Sequence, residues 1–536
     1  MLRKRIFRVT VTSLIVYFLL YICLFDVHTT TDRREETGSS SVEGTTRRMN
    51  VLFIIADDMR PDLGIYRDAE ERSTPSSPVV NTVTPNLDRL AGRSIVFRRA
   101  YAQYSLCGPS RTSLLTSRRP DTTRVFGNFH YWRLTGGDFT TLPQYFKRMG
   151  YRTLSAGKVF HPSTASSNDS DAISWSEPVF CKNKDRLFED RSRWPGWNVV
   201  HERNRKGTLL TDEYSVKYIA RRLAKLADQA RTGRRPIFVA LGLRKPHLSL
   251  TCPEKFFDLY PEDDEFYQLA DYEGGSIATR DKLSITDLEL GRLRRAYFAC
   301  VSYVDDLVGR ILNAVESLGL SNNTVVVFMA DHGYHLGEKN YFGKYRTSEV
   351  ANHVPMMLSV PGRTDNGTDS WSLVEVVDVF PTIVEAAGLG TIPRCADLPP
   401  GTDLCTEGVS LLPLADDPKG VVRDSALSQV LRRQGMQYSL RTTRYRYTMF
   451  AHVRHRLDER SGLYAVNVYW DPPGLWTELF DHVTDPEEKI NRTSDSNYQN
   501  IKQELVDQLK ARVQTVRGVP VVLPAAGSVD FSVIDT

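Results

Sequence analysis

Cys107 stands in an unusual place for a cysteine, followed by Gly108, Pro109, Ser110 and Arg111. A thiol that only packs has apolar neighbours, because it behaves as a small hydrophobe. Pro109 suits the first turn of a helix, so Cys107 falls at a helix N-terminus, an end that favours anions by about 0.3–1 kcal/mol. A thiolate there is a good nucleophile. Other residues argue for different chemistry. Asp57-Asp58 follows one apolar run, Lys158 and His161 a second, Lys245 and His247 a third, and Asp331-His332 a fourth. Adjacent carboxylates usually mark a solvated turn or a helix cap, and Asp305-Asp306 reads that way. At the end of a buried strand their repulsion needs a counter-charge. With Asp331 and His332, Asp57 and Asp58 make an oxygen-rich set that suits a hard divalent cation such as Ca²⁺ or Mg²⁺. A thiolate matches that company poorly, and an oxygen nucleophile would fit better. His161 alone reads as a core histidine, but Lys158 three residues earlier turns the pair toward an anion. Lys344 alone reads equally well as a surface lysine.

These groups meet only if the chain brings strand ends together. In open α/β sheets, ligands bind outside the carboxyl ends of the strands. "VLFII" (51–55), "IVFRRAYA", "YRTLSA", "PIFVALGL" and "TVVVFMA" (324–330) read as strands, the first and last as runs buried on both faces. Between them lie the helical stretches "TPNLDRLAGRS", "TLPQYFKRMG", "TDEYSVKYIARRLAKLADQA" and "LRRAYFACVSYVDDLVGRILNAVESLGL". The alternation predicts an α/β domain over 49–418, with a central, mostly parallel sheet flanked by helices. After about residue 415 the pattern changes. "YSLRTTRYRYTMF" and "GLYAVNVYW" alternate like half-exposed antiparallel strands, and "NIKQELVDQLKARVQTV" is an amphipathic helix. A small α+β domain with an antiparallel sheet is expected over 419–536.

The 536 residues carry a net charge of +4 with no long basic block, so composition gives no case for nucleic acid. Local basic clusters still suit an anionic substrate. Arg3, Lys4, Arg5 and Arg8 precede an apolar run, Val9–Phe25, about 25 Å long as a helix. Residues 1–27 therefore read as a signal anchor or a signal peptide. No small residues follow to mark a cleavage site, and the anchor reading leaves the rest of the chain lumenal. Residues 28–48 read as a flexible polar stem. Both readings place the protein in the secretory pathway. Asn168, Asn322, Asn366 and Asn491 head glycosylation sequons. Cys395 and Cys405 flank a Pro-rich loop and are expected to form a disulfide worth about 2–3 kcal/mol. Cys300 reads as core, and pairing of Cys181 with Cys252 stays open.

Cys107-Gly-Pro-Ser-Arg111 matches the Cys-x-Pro-x-Arg motif of the sulfatases. The resemblance runs from Val51 over nearly all of the chain. It includes "LRKPHLSLTCPEKFFDLYP", "AYFACVSYVDDLVGRIL", "ADHGYHLGE", "HVPMMLSVPG", "DLCTEGVSLL" and "ELFDHVTDPEE". Within the family it is most similar to enzymes that act on 2-O-sulfated iduronate in heparan and dermatan sulfate. The resemblance implies an alkaline phosphatase-like fold and a Cys107 oxidised to formylglycine by the formylglycine-generating enzyme. It implies a calcium ion held by Asp57, Asp58, Asp331, His332 and the modified Cys107, with Arg111 steadying the formylglycine. Lys158, His247 and Lys344 would hold the sulfate ester, His247 would protonate the leaving alcohol, and His161 would take a proton from the hydrated aldehyde. Three departures bear on the sugar and the compartment: Lys339 where a histidine is common, Cys181 in place of a nearby pair, and the N-terminal segment. The last allows anchoring in an endomembrane such as the Golgi, or a lysosomal enzyme after cleavage. Other readings are a phosphonate or phosphate ester hydrolase, a sulfatase for another sugar, and a glycan-binding protein with an unmodified Cys107.

Overall fold

The computed structural model describes residues 48–66, 82–162, 165, 171–189, 195–262, 277–279, 284–399, 401–432, 435–458, 463–470, 477–516 and 521–522. The apolar run expected to meet a membrane, the stem as far as residue 47, and Asn168 lie outside them. Among the described residues no helix is long and apolar enough to cross a membrane.

The five expected strands form: β1 Asn50–Asp57, β2 Ile95–Tyr101, β3 Arg152–Gly157, β4 Ile237–Pro246 and β5 Thr324–Ala330. Two more, β6 Met356–Ser359 and β7 Thr368–Glu375, complete the large sheet with the short strand His353–Val354. The order is His353–Val354, β2, β6, β5, β1, β4, β3, with β7 also on β2. β1 pairs in parallel with β4 and β5, and β3 with β4. β6 runs antiparallel to both β5 and β2, and His353–Val354 antiparallel to β2. The sheet is therefore mixed, with its central strands parallel. Every residue of β1 and β5 is buried, as their unbroken apolar runs require.

Helices flank this sheet: α1 Pro85–Ala91, α2 Cys107–Thr116, α3 Leu142–Arg148, α4 Thr211–Thr232, α5 Asp287–Ser317 and α6 Val379–Ala386. Thr141 and Gln144 form a capping box that starts α3. Thr286 and Glu289 do the same for α5, which begins earlier than its apolar pattern indicates. Of the two readings given for Asp305, the helix cap holds. Its carboxylate accepts the Asn86 and Leu87 amides, 3.2 and 2.7 Å away, and so caps α1.

The second sheet holds β8 Ser425–Arg432, β9 Gly435–Thr442, β10 Tyr445–Asp458, β11 Leu463–Trp470 and β12 Glu478–Asp481. β8 to β11 pair antiparallel in sequence order, and β12 adds to β10. "YSLRTTRYRYTMF" thus holds two strands, turned where Tyr445 N donates to Thr442 Oγ1 (2.9 Å). For the two strands of "YSLRTTRYRYTMF" the expectation of a half-exposed surface is wrong. One face, with Tyr438, Leu440, Tyr447 and Met449, packs on Leu505, Leu509 and Val513 of α7, Gln499–Val516. The polar face is buried too, because its charges are matched. Arg441 Nε donates to Glu349 (3.1 Å), Arg446 Nε donates to Glu488 (2.5 Å), and Arg446 also pairs with Glu349. Glu349 belongs to the segment that follows β5, so this network joins the two sheets.

Cys395 and Cys405 are disulfide-bonded, with Cα atoms 4.9 Å apart. Cys252 faces Cys300, within thiol hydrogen-bond reach, and not the exposed Cys181. Asn322, Asn366 and Asn491 are exposed, although the Asn491 amide already donates to Thr477 O (2.9 Å).

Candidate active site

The carboxyl ends of β1, β3, β4 and β5 and the start of α2 converge on Cys107. β1 ends at Asp57, and Asp58 then adopts a left-handed backbone (φ 63°), which turns two successive carboxylates into the same space. β3 ends at Gly157 (φ 74°), pressed against β4. A Cβ on Gly242 would lie 2.0 Å from Lys158 O, so glycine permits the approach that lets Lys158 N donate to Gly242 O (2.9 Å). That contact fixes where Lys158 leaves the sheet. β4 ends at Pro246, and a turn closed by His247 N donating to Arg244 O (2.9 Å) presents His247. β5 delivers Asp331 and His332.

Cys107 is only 1% exposed. Its Sγ lies 3.3 Å from Asp57 Oδ1 and accepts from Lys344 Nζ at 3.0 Å. Burial pushes the thiol up, but Lys158 and Lys344 outweigh it, helped by His161 and His247, and hold it well below its ordinary range. Asp57 pairs with Lys158 and lies 3.4 Å from Arg111. Burial would raise its carboxyl, and Cys107 with it, yet Lys158, His247 and Arg111 bring it below the usual carboxylate range. Asp58 accepts from Lys344 Nζ (2.7 Å), with His332 Nδ1 at 3.4 Å and His247 Nε2 at 3.9 Å. Lys344 is raised well above its ordinary value: burial opposes its charge, and Asp58 and Cys107 restore it.

Arg111 is wholly buried and points back from the cluster's floor. Its Nε donates to Asp331 Oδ2 (2.8 Å), and its Nη1 donates to the carbonyls of Lys158 and Val159. Asp331 Oδ1 accepts the amides of Asp58 (3.1 Å) and His332 (2.9 Å). Burial pushes Asp331 up to about 6 despite Arg111 and His332. His332 rises to about 9, because Asp331 overcomes the opposing effect of burial. His161 lies within hydrogen-bond reach of Cys107 and is lowered, chiefly by burial. His247, with its side chain 26% exposed, faces solvent more than Lys158 and Lys344 do.

One group of four offers ligand atoms within 4.8 Å of one another: Asp57, Asp58, Cys107 and His332. His332 Nε2 is buried without a hydrogen-bond partner. Two carboxylates, an imidazole with an unused nitrogen, and the position of Cys107 fit a divalent cation. Asp331, expected beside them as a ligand, lies outside this group, its oxygens engaged by Arg111 and two backbone amides. Lys158, Lys344, His161, His247 and Arg111 all join the cluster. Lys245 does not: its Nζ donates to Ser249 O (2.5 Å) and lies 3.6 Å from Asp185.

Two supporting residues carry no signal in the sequence. Tyr297, a third of the way along α5, donates to Asp58 O (2.8 Å) and accepts from Arg60 N (3.0 Å), but a tyrosine on an amphipathic helix reads as core. Asn128 Oδ1 accepts Gly108 N (2.8 Å), and a Cβ on Gly108 would come within 2.9 Å of it.

The family described as Sulfatase matches residues 49–389. The family described as N-sulphoglucosamine sulphohydrolase, C-terminal, matches residues 337–515. The chain is 35% identical over 492 residues to iduronate 2-sulfatase of Homo sapiens, covering 77% of this chain and 86% of that protein. It is 26% identical over 404 residues to choline-sulfatase of Rhizobium meliloti (strain 1021), covering 69% and 72%. Among solved structures it resembles a protein in complex with its substrate D-glucosamine-2-N,6-O-disulfate (TM-score 0.63, 20% identity, 88% of this chain and 98% of that one). It also resembles the phosphonate monoester hydrolase of Silicibacter pomeroyi (TM-score 0.65, 20% identity, 88% and 96%).

Proposed function

Because the chain belongs to the sulfatase family, we propose that it hydrolyses the 2-O-sulfate ester of iduronate units in heparan or dermatan sulfate. The observation that carries the reading is the setting of Cys107, buried where Lys344, Asp57 and His161 meet at the strand ends. The choice of sugar is supported by the 35% identity to the human iduronate 2-sulfatase.

Converted to formylglycine by the formylglycine-generating enzyme, Cys107 would supply an oxygen nucleophile for sulfur and a second hydroxyl whose deprotonation releases sulfate. A calcium ion held by Asp57, Asp58, His332 and residue 107, with Asp331 adjoining, would supply positive charge for the sulfate oxygens. The chain's own residues do the rest. Lys158 and Lys344 place two ammonium groups beside residue 107, where charge on the sulfuryl oxygens needs an answer. Arg111 holds the Lys158 carbonyl and Asp331 together, so it orients these groups from behind. His161, kept neutral by burial, can accept a proton beside residue 107. His247, next to Asp58 and partly open to solvent, is placed to protonate the leaving alcohol.

A second reading, phosphonate or phosphate ester hydrolysis, is favoured by the likeness to the phosphonate monoester hydrolase, since a site of two lysines accepts either anion. Turnover of an aryl sulfate, an aryl phosphonate and a disaccharide ending in 2-O-sulfated iduronate by the purified protein decides between them. Mass spectrometry of the peptide around Cys107 reports conversion to the aldehyde. Faster turnover of the phosphonate than of either sulfate would overturn the proposal. We further place the protein in the secretory lumen, anchored through Val9–Phe25. Retention in membranes after an alkaline carbonate wash tests this, and a soluble chain beginning near residue 30 would overturn it.

A further inference from the structure

Lys344 is carried on a loop whose shape is strongly determined. Gly343 (φ 143°) and Tyr345 (φ 79°) both take left-handed backbones. Tyr345 N donates to Ser105 O (3.2 Å), Arg346 N to Ser105 Oγ (3.0 Å), and Tyr341 OH to Lys344 O (2.6 Å). The loop is therefore fastened to the residues just before Cys107. Two guanidinium groups bracket it. Arg346, exposed and two residues past Lys344, lies over the Tyr341 ring at 4.6 Å. Arg432, at the end of β8 in the second sheet, is half-buried and donates from Nη1 to Tyr345 O (2.8 Å).

Elsewhere near the joint between the sheets, buried arginines meet acids: Arg441 and Arg446 meet Glu349, and Arg119 meets Glu375. Among the described residues, Arg346 and Arg432 meet no carboxylate. Both touch the same turn, Arg346 over the Tyr341 ring and Arg432 on Tyr345 O, and Arg432 is held below its ordinary value by burial and then by the charge of Arg346. Two cations held together without a counter-ion repel, and an anion between them would relieve that repulsion. A guanidinium offers a planar fork that suits carboxylate or sulfate oxygens, and half-burial strengthens the attraction.

We propose that Arg346 and Arg432 form a second anion subsite beside the Cys107 centre, which receives an acidic group of the substrate other than the ester being cleaved. The group is a sugar carboxylate or a neighbouring sulfate, which share this chemistry. The inference rests on the sulfatase reading, because Lys344 then marks where the scissile ester sits. It also gives the second sheet a direct part in choosing the substrate.

The test compares the whole protein with Arg346→Ala and Arg432→Ala on two substrates, 4-nitrophenyl sulfate and a disaccharide ending in 2-O-sulfated uronate. In each variant the ratio of kcat/KM for the disaccharide to that for the aryl ester should fall about tenfold or more, mainly through KM. Repeating the wild-type measurement with the uronate methyl-esterified, and with any second sulfate removed, shows which group is bound: the ratio drops only when the bound group is missing. An unchanged ratio in both variants would overturn the subsite. So would an equal loss on both substrates, since the guanidiniums would then only support the Lys344 loop. Failure of the wild-type, formylglycine-bearing protein to cleave any sulfate ester would instead overturn the sulfatase reading, and the subsite with it.

Discussion

Two buried clusters in this protein have nearly the same composition and opposite characters. Asp57, Asp58, Cys107 and His332 gather at the strand ends, and Glu349, His482 and Glu488 gather between the two sheets. Each brings metal-type donor atoms within 4.8 Å of one another. The second cluster is closed. Glu349 accepts from Tyr101 OH (2.8 Å) and Arg441, while Glu488 accepts from Arg446, from the Glu349 amide (3.1 Å) and from Lys339 (3.4 Å). His482 takes a hydrogen bond from Arg441 on Nδ1 (2.9 Å) and faces Glu488 with Nε2 (3.2 Å). The first cluster is open: His332 Nε2 and His161 Nδ1 have no hydrogen-bond partner. Acid and imidazole density alone does not make a site. Unmet bonding capacity, held in place by neighbours that are fully bonded, does.

Breaking each cluster in turn separates these characters. The largest effect is expected from Cys107→Ala, which should lower sulfate ester turnover by about 10³-fold or more and leave the thermal midpoint nearly unmoved. A large drop in the midpoint would make the open cluster structural. Glu349→Ala should do the reverse. It leaves Arg441 and Arg446 without a shared acid, so stability should fall by about 3–5 kcal/mol in denaturant unfolding. Turnover per folded molecule, corrected by active-site titration, should change far less.

The closed cluster also sets the acid limb of stability. Burial would raise both glutamates, but arginines 441 and 446 hold Glu349, and Arg446 and Lys339 hold Glu488, below the usual range. Their contribution is therefore full above the ordinary glutamate pKa of about 4.3 and is lost as pH falls toward the depressed native values. Unfolding followed from pH 7 to 3 should show a shallower acid decline in Glu349→Ala than in the wild type.

Divalent cation sharpens the contrast further. Calcium at about 100 times its dissociation constant should stabilise the metal-stripped protein by about 2.7 kcal/mol, and Asp57→Asn should lose that gain. Calcium stabilisation that survives Asp57→Asn and disappears in Glu488→Gln would exchange the roles of the two clusters. The smallest effect belongs to Lys339→Ala. Its ammonium lies 3.4 Å from Glu488 and 4.1 Å from the centre of the Phe480 ring, and the side chain is partly exposed, so about 0.5–1 kcal/mol is expected. Lys339 thus serves the joint and not the strand-end cluster.

The open cluster was legible in the sequence because its members follow recognisable strands, and sheet topology gathers strand ends. Asp57, Lys158, His247 and Asp331 could be placed by counting to the end of an apolar run. The closed cluster was not legible. Arg441 and Arg446 alternate with apolar residues, a pattern that also describes a strand facing water, and their acids lie in the distant segments that hold Glu349 and Glu488. Local periodicity reports that a face is polar and says nothing of what covers it. The same limit hid Tyr297, whose role depends on one hydroxyl reaching Asp58 O, and the sequence could not say which helix Asp305 caps, because that helix lies far away along the chain.

Every residue of α2, from Cys107 to Thr116, is buried. A chain whose Cys107 is to be oxidised therefore faces a race. The converting enzyme must reach the segment before α2 docks, and docking then shuts it out. The active fraction would be decided once per molecule by the ratio of two rates, and adding the converting enzyme to folded protein would not raise it. Substitutions that hasten closure would then yield sounder but less active preparations, while those that delay it moderately would yield more active ones. Specific activity in this protein would carry a record of its folding history.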